Sequence, residues 1–363
     1  MKIVFIKDKL KKGLRAVLEA VPTNVSKPIL KSLVLQPKDG NIEFAATDLE
    51  YGVRVSVVPV KAEKVKDITI PARRFFDIVS EADGDIAIDV QAHIAKIKFG
   101  NARYEIYCDV ENEYPAVASF PVKSGYFSLD AAEAADMLKR VAFAVTPYVD
   151  MPAISGVLFS VKKGMLELVA TDGKRLARIS RKILGKPKDA KVIVPIKAVR
   201  KIAGKLEGQS SLDIAIKDSE IIFRTGNVVI STRVIDDRFP DYEEIIPEKM
   251  ESTIKISRAE FENAVRKVIP LADEETRTIT MAISKGNLKF SSKSETGLAE
   301  FDMPVEYTGK GVDIGFNYSF LLEALRAMGG EEITFSFSGA SDPATMTDVK
   351  DYIYVLTAVR IRE

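Results

Sequence analysis

The sequence predicts an α+β protein in which one module, two helices packed on antiparallel sheet, occurs three times in a row. Three observations carry that prediction. Landmark residues recur at one displacement: Pro28, Gly40, Thr47-Asp48 and Pro71 return 124 residues later as Pro152, Gly164, Thr171-Asp172 and Pro195, and self-similarity at a fixed period marks a repeated architecture. Each third of the chain opens on an apolar stripe of helical period. Short alternating runs separated by KDGN, KKGM and SKGN follow, the pattern of strands joined by tight turns. The third copy is fainter: Gly286-Asn287-Leu288 follows Gly164-Met165-Leu166 at 122 residues, and GFNYSF from Gly315 follows VPIKAV from Val194 at 121. The 363 residues therefore divide at 1–122, 123–248 and 249–363, near the proline-bearing connectors YPAVASFPVKSG and FPDYEEIIPEKM.

Taken in order, each module reads helix, strands, helix, strands. The first helices carry Leu10, Leu14, Val17, Leu18 and Val21, then Met137, Leu138 and Val141, then Phe261, Val265, Val268 and Ile269. Two of them begin on capping boxes, Asp130 with Glu133 and Ser257 with Glu260, pairs that satisfy orphan amide donors at a helix start. The runs SLVLQP, NIEFAA and YGVRVSV follow as strands in the first module. Pro71, Pro195 and Asn317 introduce the second helices, and IAIDV, KIKFG, LDIAI, IIFRT and VVISTRV read as further strands. Three such modules end to end leave a free sheet edge at either end. An unpaired edge is a template for pairing, and a head-to-tail contact that closes gives a ring.

Composition excludes several classes. Apolar residues make up 46% and charged residues 29%, ordinary for a globular chain. The lone Cys108 forms no internal disulfide, which suits a reducing compartment. No apolar run reaches membrane-spanning length, and MKIVFI is cut off by KDKLKK, so the expected location is cytoplasmic with no membrane association. The single histidine, His93, stands apart from any set of metal ligands. No metal and no cofactor are expected. Asp48 and Asp172 are the candidate ligands of a carboxylate-based hydrolase, but a catalytic aspartate has no reason to recur at equivalent places. A turn residue that bonds the backbone does.

Net charge is only +1, and Lys+Arg against Asp+Glu is 18 to 17, 21 to 17 and 14 to 18 in the three modules. The last third is the acidic one. The polar sides of the helices are nonetheless basic: Lys12 and Arg15, Arg73 and Arg74, Lys139 and Arg140, Lys197 and Lys201, Arg266 and Lys267. Lysine and arginine commonly do no more than solvate a helix. Their recurrence with few interleaved aromatics points instead to sequence-independent contact with duplex phosphates. A DNA-free repeat scaffold that binds only proteins is the rival reading.

The stretches KPILKSLVLQ, AATDLE, IPARRFFDIV, ISGVLFSV, LVATDGKRLARIS, VIVPIKAV, DDRFPDYEEIIP and IGFNYSFLLEAL resemble, over essentially the whole chain, the bacterial DNA polymerase sliding clamp family, the beta subunit of the replicative DNA polymerase III. The resemblance implies three clamp domains per chain, a head-to-tail homodimer closed into a six-domain ring, and helices lining a hole that holds duplex DNA. It implies a non-catalytic processivity factor. The implied partners are the replicative polymerase catalytic subunit, the clamp loader, other polymerases, ligase and mismatch-repair proteins.

By position, the resemblance assigns DNA contact to Asn24, Arg73 and Lys197, and Tyr148 stands in a loop that touches DNA in the family. Lys12, Lys139, Arg140, Lys201 and Lys267 join them from the helical reading. A partner-peptide pocket between the second and third domains is implied at Ile154, Thr171, Gly173, Lys174, Arg175, Leu176, Pro240, Ile245, Asn317, Phe320, Pro343, Met346, Val355, Leu356, Thr357, Ala358 and Val359. Without the resemblance, Leu176, Ile245 and Leu356 read as plain core. A dimer seam is implied between Arg74, Ile78, Arg103, Tyr104 and Ile106 on one side and Leu271, Glu295 and Glu300 on the other. The chain departs from the family at Ala358, often proline, at Thr276, often apolar, at Lys174, and in running on to Glu363.

Overall fold

The computed structural model describes residues 2–25, 27–63, 66–109, 113–121, 123, 125–146, 151–185 and 187–361. Six helices fall where the periodicity places them: α1 (Lys7–Leu18), α2 (Ala72–Ser80), α3 (Ala131–Ala142), α4 (Ile196–Ala203), α5 (Arg258–Val268) and α6 (Tyr318–Ala327). Their stripes are buried as expected. Leu10, Leu14 and Val17 face inward from α1, Ala72, Phe75 and Val79 from α2, and Phe261, Val265 and Val268 from α5. Helix starts are fixed locally. Ser257 accepts the amide of Glu260, Asp130 accepts that of Ala132, and Asn317 accepts that of Ser319 at 2.9 Å.

The chain forms two compact units, one of residues 1–132, 184–187 and 204–234, the other of 133–183, 188–203 and 235–363. In the first, an eight-stranded antiparallel sheet runs Phe127–Asp130, Ser211–Ile216, Glu220–Thr225, Val228–Arg233, Tyr51–Val57, Asn41–Thr47, Ser32–Lys38, Ile68–Pro71. A five-stranded sheet of Lys61–Glu63, Lys2–Phe5, Ile86–Gln91, Ile94–Phe99 and Ala102–Tyr107 accompanies it. In the second unit the eight-stranded order is Ala190–Pro195, Gly156–Lys162, Met165–Thr171, Arg175–Lys182, Tyr352–Leu356, Ala344–Thr347, Glu332–Phe337, Ser252–Ser257. Its four-stranded sheet runs Gly297–Pro304, Asn287–Ser294, Thr278–Ser284, Val312–Asn317.

Each large sheet is thus two four-stranded halves stitched at the middle, and the stitches are equivalent. Gly52 pairs with Ser231 in the first unit, and Leu176 with Val355 in the second, both partners displaced by the repeat of 124. The cores are apolar and aromatic. Phe44 lies between Phe5 and Phe75 at 5.7 and 6.4 Å, and Phe261 lies between Phe290 and Phe335 at 5.4 and 6.0 Å. Such rings bury large apolar areas under the helices.

Candidate functional site

The basic residues of the helices divide into two kinds. Lys12 on α1, Arg73 on α2, Lys139 on α3, Lys197 on α4 and Lys267 on α5 are exposed, as is Asn24, while Lys201 is half-buried. Arg140 requires correction. Its side chain is only 4% exposed, with Nη1 2.6 Å from Asp348 and Nε 2.8 Å from Asp136, and it stacks on the Tyr352 ring at 4.9 Å. A guanidinium enclosed between two carboxylates, with its charge already paired, is not presented to a phosphate. Burial alone pulls its pKa down, but Asp348 and Asp136 outweigh that and raise it. Tyr148 lies outside the described residues.

The recurring Thr-Asp pairs build one turn twice. The Thr47 hydroxyl donates to the Tyr51 carbonyl at 3.0 Å and accepts the amide of Leu49, while Asp48 accepts the amides of Glu50 and Tyr51. Thr171 and Asp172 repeat the arrangement with Arg175, Gly173 and Lys174. Each aspartate accepts two turn amides on Oδ1, the role of a turn residue rather than of a metal ligand, and Asp172 Oδ2 also accepts Arg175 Nε. Among the described residues no group of three or more His, Cys, Asp and Glu is disposed to hold a metal ion.

Around the second turn the second unit gathers an apolar cluster. Leu176 and Val355, paired across the stitch, bury against Leu158, Val169, Ile193 and Tyr242, with Ala153, Ile235, Phe239, Ile246 and Ile353 packed on them. Ile154 is buried nearby in sequence, whereas Pro240 and Ile245 of the linker are exposed, Ile245 by 42%. Side chains alternate along a strand, so Arg175 and Leu356 face away from Leu176 and Val355. Arg175 is buried there, bound to Asp172 at 2.9 Å and Glu323 at 2.7 Å and stacked over Phe320 at 4.2 Å. Burial lowers its pKa, but Tyr354, Glu323 and Asp172 more than compensate and raise it. Leu356 and Met346 are fully buried, as are Leu176 and Val355, so the plain reading of Leu176 and Leu356 as core describes this structure, and Ile245 is the exposed one of the three residues so read.

The remaining positions sit at the ends of these strands. Thr171 is buried in the turn, and Gly173 and Lys174 are exposed at its tip. The Thr357 hydroxyl and amide both donate to the Lys174 carbonyl, at 2.7 and 3.1 Å, and the Val359 amide donates to Gly315 at 2.8 Å. The terminal segment with Ala358 is therefore pinned at two points. Asn317 caps α6, and Pro343 is half-buried at the start of the strand that carries Met346.

Sequence reasoning missed Tyr242, Glu167 and Arg178. Glu167 accepts from the Tyr242 hydroxyl with one oxygen and from Arg178 Nε at 2.5 Å with the other. The signal was present in the repeat, because Glu43 and Arg54 stand 124 residues earlier and pair at 2.6 Å.

Each unit also ends in an open strand. Ala102–Tyr107 pairs only with Ile94–Phe99, and Gly297–Pro304 only with Asn287–Ser294, among the described residues. On the first, Arg103 is exposed while Tyr104 and Ile106 are half-buried. On the second, Glu300 is exposed and pairs with Lys289 at 2.5 Å. Arg74 and Glu295 are exposed, and Ile78 and Leu271 are half-buried.

Comparison with known proteins agrees with this architecture. Models of the DNA polymerase III beta subunit match in chain order, the N-terminal domain at 1–118, the central domain at 128–241 and the C-terminal domain at 243–360. A beta sliding clamp of Pseudomonas aeruginosa is 30% identical over 362 residues, 98% of either chain, and that of Escherichia coli is 26% identical over 367 residues, covering 99% of this chain and 100% of that one. A crystal structure of a sliding clamp from Pseudomonas aeruginosa bound to griselimycin superposes with a TM-score of 0.92 at 28% identity, over 99% of this chain and 100% of that one. Three clamp domains of few helices over antiparallel sheet, matched end to end, mean that the chain belongs to the DNA polymerase III beta subunit family, the non-catalytic sliding clamps of DNA replication.

Proposed function

We propose that two copies of this chain close head to tail into a six-domain ring around duplex DNA and tether the replicative polymerase to its template. The observation that carries the proposal is the pair of open strands, Ala102–Tyr107 at the end of one unit and Gly297–Pro304 at the end of the other. Edges of that length invite pairing unless something covers them, and two copies joined edge to edge satisfy all four. The domains run 1–122, 123–248 and 249–363. Lys12, Asn24, Arg73, Lys139, Lys197, Lys201 and Lys267 face the duplex, making contacts that are individually weak and salt-sensitive. A ring that encloses DNA needs no tighter grip, so it slides.

Partners dock through a short apolar peptide that seats against the linker with its exposed Pro240 and Ile245, over the cluster that Leu176 and Val355 build. An apolar surface with a few placed polar groups suits peptide anchoring. The polymerase catalytic subunit, clamp loader, other polymerases, ligase and mismatch-repair proteins share it in turn. The setting is the cytoplasm.

Linearisation tests the topological claim. The protein, loaded by its clamp loader on nicked circular plasmid, is retained through washing at 0.5 M salt and released once a restriction enzyme opens the circle. Equal salt-driven loss from circular and linear DNA would mean ordinary electrostatic binding and would sink the ring.

A further inference from the structure

We propose that Tyr242 and the Glu167–Arg178 pair beneath it form a latch that holds linker residues 239–246 as one wall of the partner-peptide surface, which makes Tyr242 and Glu167 positioning residues for peptide recognition. The inference rests on the peptide-docking reading above. Its geometry is independent of that reading.

The Tyr242 ring is 4% exposed and inserts between Leu158, Val169, Leu176, Ile193 and Val355, with the Phe239 ring edge-on at 6.2 Å. Its hydroxyl donates to Glu167 on Met165–Thr171, and Arg178 on the neighbouring strand holds the other Glu167 oxygen at 2.5 Å. Elsewhere the linker bonds locally: Arg238 to Asp237, and the Ile245 amide to the Tyr242 carbonyl at 3.2 Å. Among the described residues, the side-chain tie from linker positions 236–249 to the sheet is the tyrosine hydroxyl. Burial and then the bond to Glu167 push the phenol well above its usual pKa, so it stays a donor throughout the physiological range.

The first unit contains the same pair and uses it for the same purpose by different chemistry. Glu43 and Arg54 occupy the equivalent diagonal, and Arg54 Nη2 donates to the Val117 carbonyl of the preceding linker at 2.8 Å. Tyr114 of that linker accepts the Thr47 amide and donates to the Ser32 carbonyl, each at 3.1 Å. Both linkers are therefore tied to one recurring cross-strand Glu–Arg pair.

What differs is the apolar lining. Leu176, Ile193 and Val355 of the second unit have Gly52, Thr69 and Ser231 as counterparts in the first. A side chain on Gly52 would stand 2.9 Å from Val117 and 2.8 Å from Ser231, so that linker sits directly on backbone. In the second unit the three large side chains lift the linker, and only a residue as long as tyrosine reaches the pair beneath. A buried hydrogen bond to a charged acceptor is a strong restraint, and placing a wall before the peptide arrives removes an ordering cost from binding.

The test uses the full-length protein and overlapping fluorescein-labelled 20-residue peptides of the replicative polymerase catalytic subunit, with the tightest as probe. Tyr242→Phe keeps the packed ring and loses the hydroxyl. It is expected to weaken the peptide about fivefold to twentyfold, to speed amide exchange at 239–246, and to leave the dimer intact. Glu167→Gln weakens it by a smaller factor, because the amide oxygen still accepts. Tyr114→Phe, in the other linker, leaves peptide affinity unchanged. Faster exchange with unaltered affinity would show that the linker is no wall, and unaltered exchange would show that the hydroxyl is no latch; either overturns the proposal. If no peptide binds the wild-type protein, the docking reading itself fails, and exchange in Tyr242→Phe still decides whether the latch exists.

Discussion

At the scale of single residues, Asp348 is a buried carboxylate that accepts from four donors. Its side chain is 0% exposed, accepts Arg140 Nη1 and Nη2 at 2.6 and 3.1 Å, and accepts the amides of Gly329 and Gly330 at 2.9 Å each. Burial alone raises the carboxyl, but Arg140 and the two amides outweigh it and hold the pKa below the ordinary 3.8. A depressed acid stabilises the fold fully above its unfolded pKa, and that stability is lost as pH falls through the lower folded value. Removing one partner of a buried pair strands the other charge, at a cost of about 3–5 kcal/mol. Asp348→Asn is therefore expected to lose about 3 kcal/mol in urea unfolding at pH 7. It is also expected to unfold with a flatter pH dependence than wild type below about pH 4. Parallel pH profiles for the two proteins would show that Asp348 is not held in its charged form. The same contacts explain why Arg140 misled sequence reasoning: Lys139 and Arg140 are adjacent on paper, but a helix turns 100° between them, so one meets water while the other meets Asp136 one turn back and Asp348 more than 200 residues on.

At the scale of elements, the repeated hairpin turn separates sequence from backbone demand. Leu49 and Gly173 occupy the same position with φ of 80° and 83°, a conformation that costs an L-residue with a β-carbon about 1–2 kcal/mol. Leu49 is 44% exposed and recovers little of that by burial. Leu49→Gly relieves the strain, offset by about 0.5–1 kcal/mol of extra chain entropy. A net gain of roughly 0.5–1 kcal/mol is expected, and Gly173→Leu is expected to lose a similar amount. Unchanged urea midpoints for both variants would refute the strain argument. This turn was legible in advance because threonine and aspartate act within five residues. The six helices were legible for the same reason, through stripe and cap. Lys2–Phe5 was not, since its pairing with Ile86–Gln91 and Lys61–Glu63 joins segments about 60 to 85 residues apart. Nor was the Glu167–Arg178–Tyr242 set: a glutamate and an arginine eleven residues apart look like solvated surface until strand register sets them side by side under a linker. Of the proposed docking surface, Leu176 and Val355 came from family resemblance, and burial alone does not set them apart from Met346 and Leu356, since all four are enclosed. Strand alternation does, because Leu176 and Val355 join the Tyr242 cluster and Leu356 faces the other way.

At the scale of the whole molecule, the question is what the chain does with the long edge strands of its two smaller sheets, Ala102–Tyr107 and Gly297–Pro304. The edge strand Ala102–Tyr107 points Arg103, Glu105 and Tyr107 into solvent and keeps Tyr104 and Ile106 half-buried. Gly297–Pro304 does likewise with Leu298, Glu300 and Asp302 exposed and Phe301 half-buried. Edge pairing supplies main-chain hydrogen bonds, and the half-buried residues supply apolar area. Exposed charge pairs at the rim add about 0–1 kcal/mol each. The seam should therefore respond weakly to salt and strongly to a charge in its apolar stripe. In sedimentation, the wild-type protein is expected at twice 40.0 kDa in both 0.1 and 0.5 M salt. Ile106→Asp puts a carboxylate where it must be buried unpaired, near an acidic last domain. A burial cost of several kcal/mol weakens the dimer by a factor of about a hundred or more, so this variant runs at 40.0 kDa at micromolar concentration while keeping its folded circular dichroism. Loading on circular DNA is lost with it, because a crescent encloses nothing. An Ile106→Asp protein that stays dimeric would move the seam away from this strand, and a wild-type dimer that dissolves in 0.5 M salt would make the rim charges, not the paired edges, the bond that closes the ring.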